Sequence, residues 1–312
     1  MPAKLSGPFV PAGRFSQRLS AGIGGNYHSG VFSDFPLDLA LKRQYYTWFN
    51  DFDGNADFDV STFEPNRTDG ATAIARLPDW VAAEIGTSSL DIAPTLTTAL
   101  LQTDAPFGVL KVLAGGTDST GNQVTRSFSG SSIASGVPLN STSTTDSRTG
   151  VARYRRTIVG ARFNLAENGT ASQSAMSITW NGDENAILTT AGAVAGNNQF
   201  GFHKALASNT LSFLTRGSSS SLTTVTTLVP GVAGAEGTYV DVAAVMERRS
   251  STGFYADIYV NGVYTVSVDN SGSSSTITPG AATYAPSMAV VNGVGADADL
   301  YVDYIWHASE RF

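Results

Sequence analysis

Acidic side chains are densest in D-F-D-G-N-A-D-F-D-V-S-T-F-E, residues 51 to 64. Counted from Asp53 as position 1, they fall at positions 1, 3, 5, 7, 9 and 12: Asp53, Asn55, Asp57, Asp59, Ser61 and Glu64. That is the ligand spacing of a calcium loop, in which position 6 takes the sharp turn and wants glycine. Here position 6 is Phe58, and no helical pattern flanks the segment. Alternation of the acids with Phe58 and Val60 also fits an exposed acidic strand. Calcium is the one cofactor this sequence offers.

Other chemistry finds no partner set. Retaining glycoside hydrolysis needs two carboxylates about 5 to 5.5 Å apart, which a strand supplies from acids two residues apart on one face. Glu64, Glu84, Glu167, Glu184, Glu236, Glu247 and Glu310 each lack another acid at that spacing. Asp183 and Glu184 are adjacent in a turn-like W-N-G-D-E-N and should point apart. His28, His203 and His307 are scattered, and no paired-histidine metal motif, nucleophile elbow, phosphate loop or dinucleotide fingerprint occurs. These observations predict no enzyme. A glycan could still be held by stacking on tyrosines of one sheet face, Tyr255, Tyr259, Tyr264 and Tyr301. The same tyrosines could equally be cross-strand pairs or subunit contacts.

The elements that would carry these groups are strands. In F-Y-A-D-I-Y-V-N-G-V-Y-T-V-S-V the apolar Phe254, Ala256, Ile258 and Val260 alternate with Tyr255, Asp257 and Tyr259, the period of a strand with one buried face. Asn261-Gly262 tolerates the positive φ angles of a type I′ turn, so Val263 to Val268 should return antiparallel. The last strand should put Leu300, Val302, Tyr304 and Trp306 on one face and Tyr301, Asp303 and Ile305 on the other. From Thr157 onward, strand-like segments recur every 10 to 15 residues: T-I-V-G-A-R-F-N-L, S-A-M-S-I-T-W, A-I-L-T-T-A, Q-F-G-F-H-K-A, L-S-F-L-T-R, T-T-V-T-T-L-V and T-Y-V-D-V-A-A-V-M-E-R. That rhythm, without long helical periodicity, predicts two stacked antiparallel sheets.

Upstream, Tyr45 to Phe52 reads as the first strand and Phe107 to Leu113 as another. Residues 53 to 79 read as irregular, and Gly86 as the cap of a helical turn or a tight bend. Residues 129 to 150 are almost all Ser, Thr, Gly and Asn and predict a surface loop. Residues 1 to 44 form an arm with Pro2, Pro8, Pro11 and a G-I-G-G stretch, closed by a short helical candidate at Asp38 to Tyr45. Its Phe9, Phe15, Tyr27, Phe32 and Phe35 are too apolar for a solvated linker and predict contact with a neighbouring subunit.

The 312 residues suffice for one large core. A formal net charge of −7 excludes a nucleic-acid surface, and Arg153, Arg155 and Arg156 form the densest basic group. There is no cysteine, no apolar run near the length of a membrane span, and no apolar core in the N-terminal M-P-A-K-L-S-G-P-F-V-P to suggest a secretory signal. A protein made and assembled in a cytoplasm is expected.

Taken in order, several segments resemble the concanavalin A-like jelly-roll domain found in structural proteins of tailed bacteriophages. They are W-F-N-D-F, W-V-A-A-E-I-G-T-S, G-V-L-K-V before G-G-T-D, A-R-F-N-L, the hairpin ending V-N-G, A-P-S-M-A-V-V-N-G, and L-Y-V-D-Y-I-W-H-A-S-E-R. The resemblance covers residues 45 to 312 and departs from the pattern at 56 to 78 and 129 to 150. It implies an all-β, two-sheet antiparallel jelly-roll sandwich preceded by an extended arm. It also implies a non-enzymatic virion protein, assembled in the host cytoplasm, that decorates the capsid as a homo-oligomer bound to the major capsid or other virion proteins. The alternatives are a host-glycan-binding adhesin on a tail or fibre, and a glycan hydrolase lacking its standard motif.

Overall fold

The structure, a computed structural model, describes residues 45–50, 64–69, 72–76, 80–86, 110–114, 118–126, 137–138, 144–145, 152–153, 156–169, 173–181, 187–195, 199–216, 222–230, 233–234, 239–248, 254–269, 283–294 and 296–310. Among these the chain is all-β, in two large sheets packed face to face. Sheet I runs β1 (Tyr45–Asn50), β20 (Ala296–Glu310), β10 (Arg156–Gly169), β16 (Val240–Arg248), β17 (Phe254–Val260), β18 (Val263–Asp269). On it β5 (Leu110–Leu113) joins β20, and β15 (Ala233–Gly234) joins β10. Sheet II runs β14 (Leu222–Pro230), β13 (Thr210–Arg216), β12 (Gln199–Lys204), β11 (Ala175–Asn181), β19 (Thr283–Val291), β6 (Gly121–Arg126), β4 (Trp80–Ile85), β3 (Thr72–Arg76), β2 (Glu64–Asp69). The short β7 (Val137–Pro138) borders β19, and β8 (Thr144–Thr145) pairs with β9 (Ala152–Arg153). Apart from the two-residue β10–β15 contact, every pairing is antiparallel. These are the two stacked antiparallel sheets expected from the strand rhythm, and the jelly-roll sandwich that the resemblance implies.

The core lies where the alternating apolar positions of the two sheets meet. Val159, Ala161, Phe163 and Leu165 of β10 and Ala256 and Ile258 of β17 face Met176, Ile178 and Trp180 of β11 and Phe200 and Phe202 of β12. Trp180 stacks on Phe200 with centroids 6.0 Å apart, and Phe202 meets Phe213 edge-on at 5.4 Å. The hairpin forms as its spacing predicts: Asn261 (φ 50°) and Gly262 (φ 75°) take the two positive angles of the turn.

Several elements differ from expectation for physical reasons. In β20 the pairing with β10 shifts between Arg162 and Phe163, because Asp303 is an extra residue. Such a bulge sends two successive side chains to one face. Val302 and Ile305 therefore both enter the core, while Asp303 and Tyr304 both turn outward, so the simple alternation along 300–306 fails. Residues 64–76, expected to be irregular, contain the β2–β3 hairpin, and Gly86 (φ 94°) is a bend after strand β4 rather than the cap of a helical turn. G-N-Q-V-T-R, which lacks an apolar pattern, is the interior strand β6, between β19 and β4. A-I-L-T-T-A is not a strand: only an isolated bridge, Leu188 to Val194, holds residues 187–195. The arm, with Phe9, Phe15, Tyr27, Phe32, Phe35 and the helical candidate at its end, lies outside the described residues.

Candidate functional site

In β11 the core takes Met176, Ile178 and Trp180, so Ser177, Thr179 and Asn181 project from the opposite, outer face of sheet II. Register extends the pattern sideways. One row runs Thr125, Ser287, Thr179, Gly201 and Leu214 across β6, β19, β11, β12 and β13. A second runs Gln123, Ala289, Ser177, His203 and Ser212, and a third Ala285, Asn181, Gln199 and Arg216. Gly201 is needed where it stands: its φ is 150°, and a Cβ there would lie 2.3 Å from the Ile178 carbonyl oxygen on β11.

An outer face of an antiparallel sheet usually meets water, yet Ser177, Thr179, Asn181, Gln199 and Ser287 are fully buried. Part of the cover is the segment 187–195. Its Ile187 and Leu188 pack on Ile85, Ala175, Ala289 and Val291. The Ile187 N–H donates to Gln123 Oε1 at 2.7 Å, Gln199 Nε2 donates to the Ala195 carbonyl at 3.3 Å, and Arg216 Nη1 donates to the carbonyls of Val194 (2.7 Å) and Ala195. The segment is thus tied to the face at three points and closes through its own turn, Gly192 N–H to Thr189 carbonyl at 2.8 Å.

The enclosed groups are polar and incompletely matched. Among the described residues Ser177 Oγ, Thr179 Oγ1, Ser287 Oγ, His203 Nδ1 and Arg216 Nε are buried with no hydrogen-bond partner. A buried unsatisfied donor or acceptor costs about 1–3 kcal/mol, so these five atoms call for a partner such as water or a ligand hydroxyl. His203 stands among them as a neutral ring. Burial pushes its pKa down to about 4, and the Lys204 charge pushes the same way against a hydrogen bond to the Met176 backbone. Among the described residues no three His, Cys, Asp or Glu side chains come together in a geometry that could hold a metal ion.

A second polar cluster occupies the outer face of sheet I. Arg162 on β10 faces Asp241 on β16 and Tyr304 on β20, and the bulge adds Asp303. Arg162 Nη1 lies 2.9 Å from Asp303 Oδ2 and its guanidinium 5.0 Å from the Tyr239 ring centre. The Tyr304 hydroxyl donates to Asp241 Oδ2 at 2.5 Å. Burial raises the Asp241 pKa to about 7 against the opposing pull of Tyr304 and Arg162.

The tyrosines singled out for sugar stacking lie on this same sheet, in cross-strand contacts. Tyr301 is 3% exposed and lies under Lys111, whose Nζ is 5.2 Å from the ring centre and 2.8 Å from Asp299. Tyr259 is also buried and meets Tyr264 edge-on at 5.9 Å. The Tyr255 and Tyr264 hydroxyls both reach Ser267 Oγ (2.9 and 2.8 Å), which donates to Asp257. Tyr259 and Tyr301 therefore present no free ring face, which corrects the stacking expectation for those two; Tyr264 alone is well exposed. Of the calcium set, Asp53, Asn55, Asp57 and Asp59 lie outside the described residues, and Glu64 opens strand β2. His203 and His307 are buried on different sheets, and His28 lies outside the described residues. Reading the sequence for acids and histidines missed the hydroxyl rows of sheet II. Their signal was in S-A-M-S-I-T-W-N, where Ser, Thr and Asn alternate with the core residues.

No family model and no curated protein matches the chain. Solved structures superpose on it at low identity. A structure from work on endo-acting O-glycanases of the human gut microbiota is 12% identical, with TM-score 0.45, over 83% of this chain and 97% of the other. An endo-1,3-beta-glucanase from Streptomyces sioyaensis is 9% identical, with TM-score 0.44, over 85% and 96%. The binding domain of botulinum neurotoxin DC in complex with SialylT is 12% identical, with TM-score 0.41, over 76% of this chain and 45% of the other. The chain spans about half the length of the neurotoxin domains it superposes on. At these scores the likenesses carry no argument about activity.

Proposed function

We propose that the chain is a non-enzymatic β-sandwich that binds glycans on the outer face of sheet II, as an adhesive protein on the surface of a bacteriophage particle. The observation that supports binding there is the set of buried hydroxyls of Ser177, Thr179 and Ser287, unpartnered among the described residues and flanked by Gln199 and Arg216. Each hydroxyl both donates and accepts, so a saccharide's hydroxyls match the face better than an apolar ligand would. The virion setting is supported by the order of segments through residues 45–312 that resembles phage structural proteins.

The test compares wild type with a Ser177→Ala, Thr179→Val, Ser287→Ala variant on a glycan array, followed by calorimetry on the glycans retained. Those hydroxyls have no protein partner among the described residues, so their removal should leave folding stability unchanged or slightly higher, while glycan affinity falls at least about tenfold. A wild type that retains no glycan, or a variant that binds as well as wild type, overturns the reading.

The resemblance also favours a second reading, a capsid decoration protein that spreads its arm and loops over neighbouring capsid subunits as a homo-oligomer. Co-sedimentation with undecorated phage shells separates the two. Saturable binding to shells at a fixed copy number, with no glycan retained, selects decoration.

A further inference from the structure

We propose that the glycan bound on this face carries a carboxylate and that Arg216 reads it, an inference that rests on the glycan reading above. Arg216 closes β13 directly opposite Gln199, in the row that also holds Asn181, so its guanidinium borders the two amides. Its Nη1 is committed to the Val194 and Ala195 carbonyls, which fixes the plane of the group. On the opposite edge Nε is buried and has no partner among the described residues. That edge offers two parallel N–H donors, the geometry that takes a carboxylate in a bidentate pair.

The charge balance points the same way. Lys111, Arg162 and Lys204 each have a carboxylate oxygen within 3.0 Å, at Asp299, Asp303 and Glu167 respectively. Arg216 has none among the described residues; its protein partners are backbone carbonyls. His203, two rows away along the strands, stays uncharged above about pH 4. Among the described residues the face thus holds one fixed positive charge, Arg216, without a counter-ion, on a chain whose formal net charge is −7. Non-specific attraction of anions to such a chain is weak, so discrimination has to come from this local group. The amides of Asn181 and Gln199 and the Ser and Thr hydroxyls would then hold the neighbouring ring hydroxyls.

The experiment is calorimetry of the full chain with a uronic-acid oligosaccharide, its carboxyl-reduced neutral counterpart and a sulfated analogue, repeated for Arg216→Gln and Arg216→Lys. Wild type should bind the uronic-acid form about tenfold or more tighter than the neutral one, with a preference that shrinks as salt is raised. Arg216→Gln should abolish the preference and leave neutral binding within about twofold, while Arg216→Lys should keep part of it. Because Arg216 also holds segment 187–195, the neutral ligand is the control: a parallel loss for both ligands in Arg216→Gln marks a positioning role and overturns the charge assignment. Equal wild-type affinity for the two forms, or preference for the sulfated analogue, overturns the carboxylate inference while the glycan reading stands. Binding of no oligosaccharide in this set or on the array removes both.

Discussion

Lys204 sits at a core-facing position of β12, two residues beyond Phe202, with its side chain fully buried. Its Nζ is 3.0 Å from Glu167 Oε1 and 2.5 Å from the Ser174 carbonyl, and the Ser174 N–H and hydroxyl both donate to the same carboxylate oxygen. Burial pushes the Lys204 pKa down, and the charge and hydrogen bond of Glu167 oppose that. Glu167 belongs to β10 and Lys204 to β12, so the pair bolts the two sheets together at one end of the core. Removing one partner leaves a buried charge uncompensated. Lys204→Met should therefore cost about 3–5 kcal/mol in urea unfolding, and the double variant Lys204→Met, Glu167→Leu distinctly less than that. Equal losses would mean the charge is solvated and the pair contributes little. That Lys204 is out of pattern was legible in Q-F-G-F-H-K, where alternation sends it inward with two phenylalanines. Its partner was not, because Glu167 lies 37 residues earlier and only the sheet-to-sheet packing brings it near.

Elements that a short stretch determines were readable; those fixed by distant pairing were not. The β17–β18 hairpin carries its own turn residues and its own alternation, so 16 contiguous residues specify it. The β20 bulge is invisible in its own sequence, since the extra residue is defined only against Arg162 and Phe163, about 140 positions earlier. Strand β6 was missed because its outer-facing Gln123 and Thr125 are buried polar groups, Gln123 donating to Thr125 and accepting from Ile187 N–H. A-I-L-T-T-A was over-read as a strand because Ile187 and Leu188 are apolar for a different purpose, covering the outer face of sheet II. The same locality explains the site: the Ser–Thr–Asn alternation of β11 stood in the sequence, but its neighbours on β12, β13 and β19 come from register. The bulge makes a direct test. Asp303→Asn keeps the extra residue and should lose about 1 kcal/mol or less, because the Arg162 pair is partly exposed. Deletion of Asp303 pairs Val302 with Phe163 and Tyr304 with Arg162 without an extra residue, so Val302 and Ile305 keep facing the core and Tyr304 keeps facing out. That variant should therefore still unfold cooperatively and keep its near-ultraviolet circular dichroism, losing only the Arg162 pair and the local twist of the bulge. Loss of the cooperative transition would mean that the bulge itself is required for the two sheets to pack.

At the scale of the whole molecule, three buried titratable groups set opposite flanks of a stability profile. The fold holds His203 and His307 neutral, with burial, joined at His307 by the Arg126 charge, lowering their pKa values from 6.5 to about 4 and about 3. A depressed pKa of this kind contributes stability that is present above pH 6.5 and is lost as pH falls toward those values. Asp241 behaves in the other sense. It faces Tyr304, Arg162 and Asp303, and burial lifts its pKa from 3.8 to about 7. Its contribution is complete below pH 3.8 and is lost as pH rises through about 7, where the unfolded chain has long since released its proton. The displacement from 3.8 to about 7, at about 1.4 kcal/mol per pH unit, is on the order of 4 kcal/mol. Since Asn261 accepts from the Asp241 N–H at 3.0 Å and donates its own N–H to the Asp241 carbonyl at 2.7 Å, ionisation of this side chain strains the place where β16 meets the β17–β18 turn. Asp241→Asn keeps the backbone contacts and removes the titration. The difference in unfolding free energy between that variant and wild type, followed by denaturant titration at pH 4, 6 and 8, should shift in favour of the variant with rising pH by a few kcal/mol. A difference that stays flat from pH 4 to pH 8 would show that Asp241 is ionised in the folded protein across the whole range, with Arg162 and Tyr304 outweighing its burial.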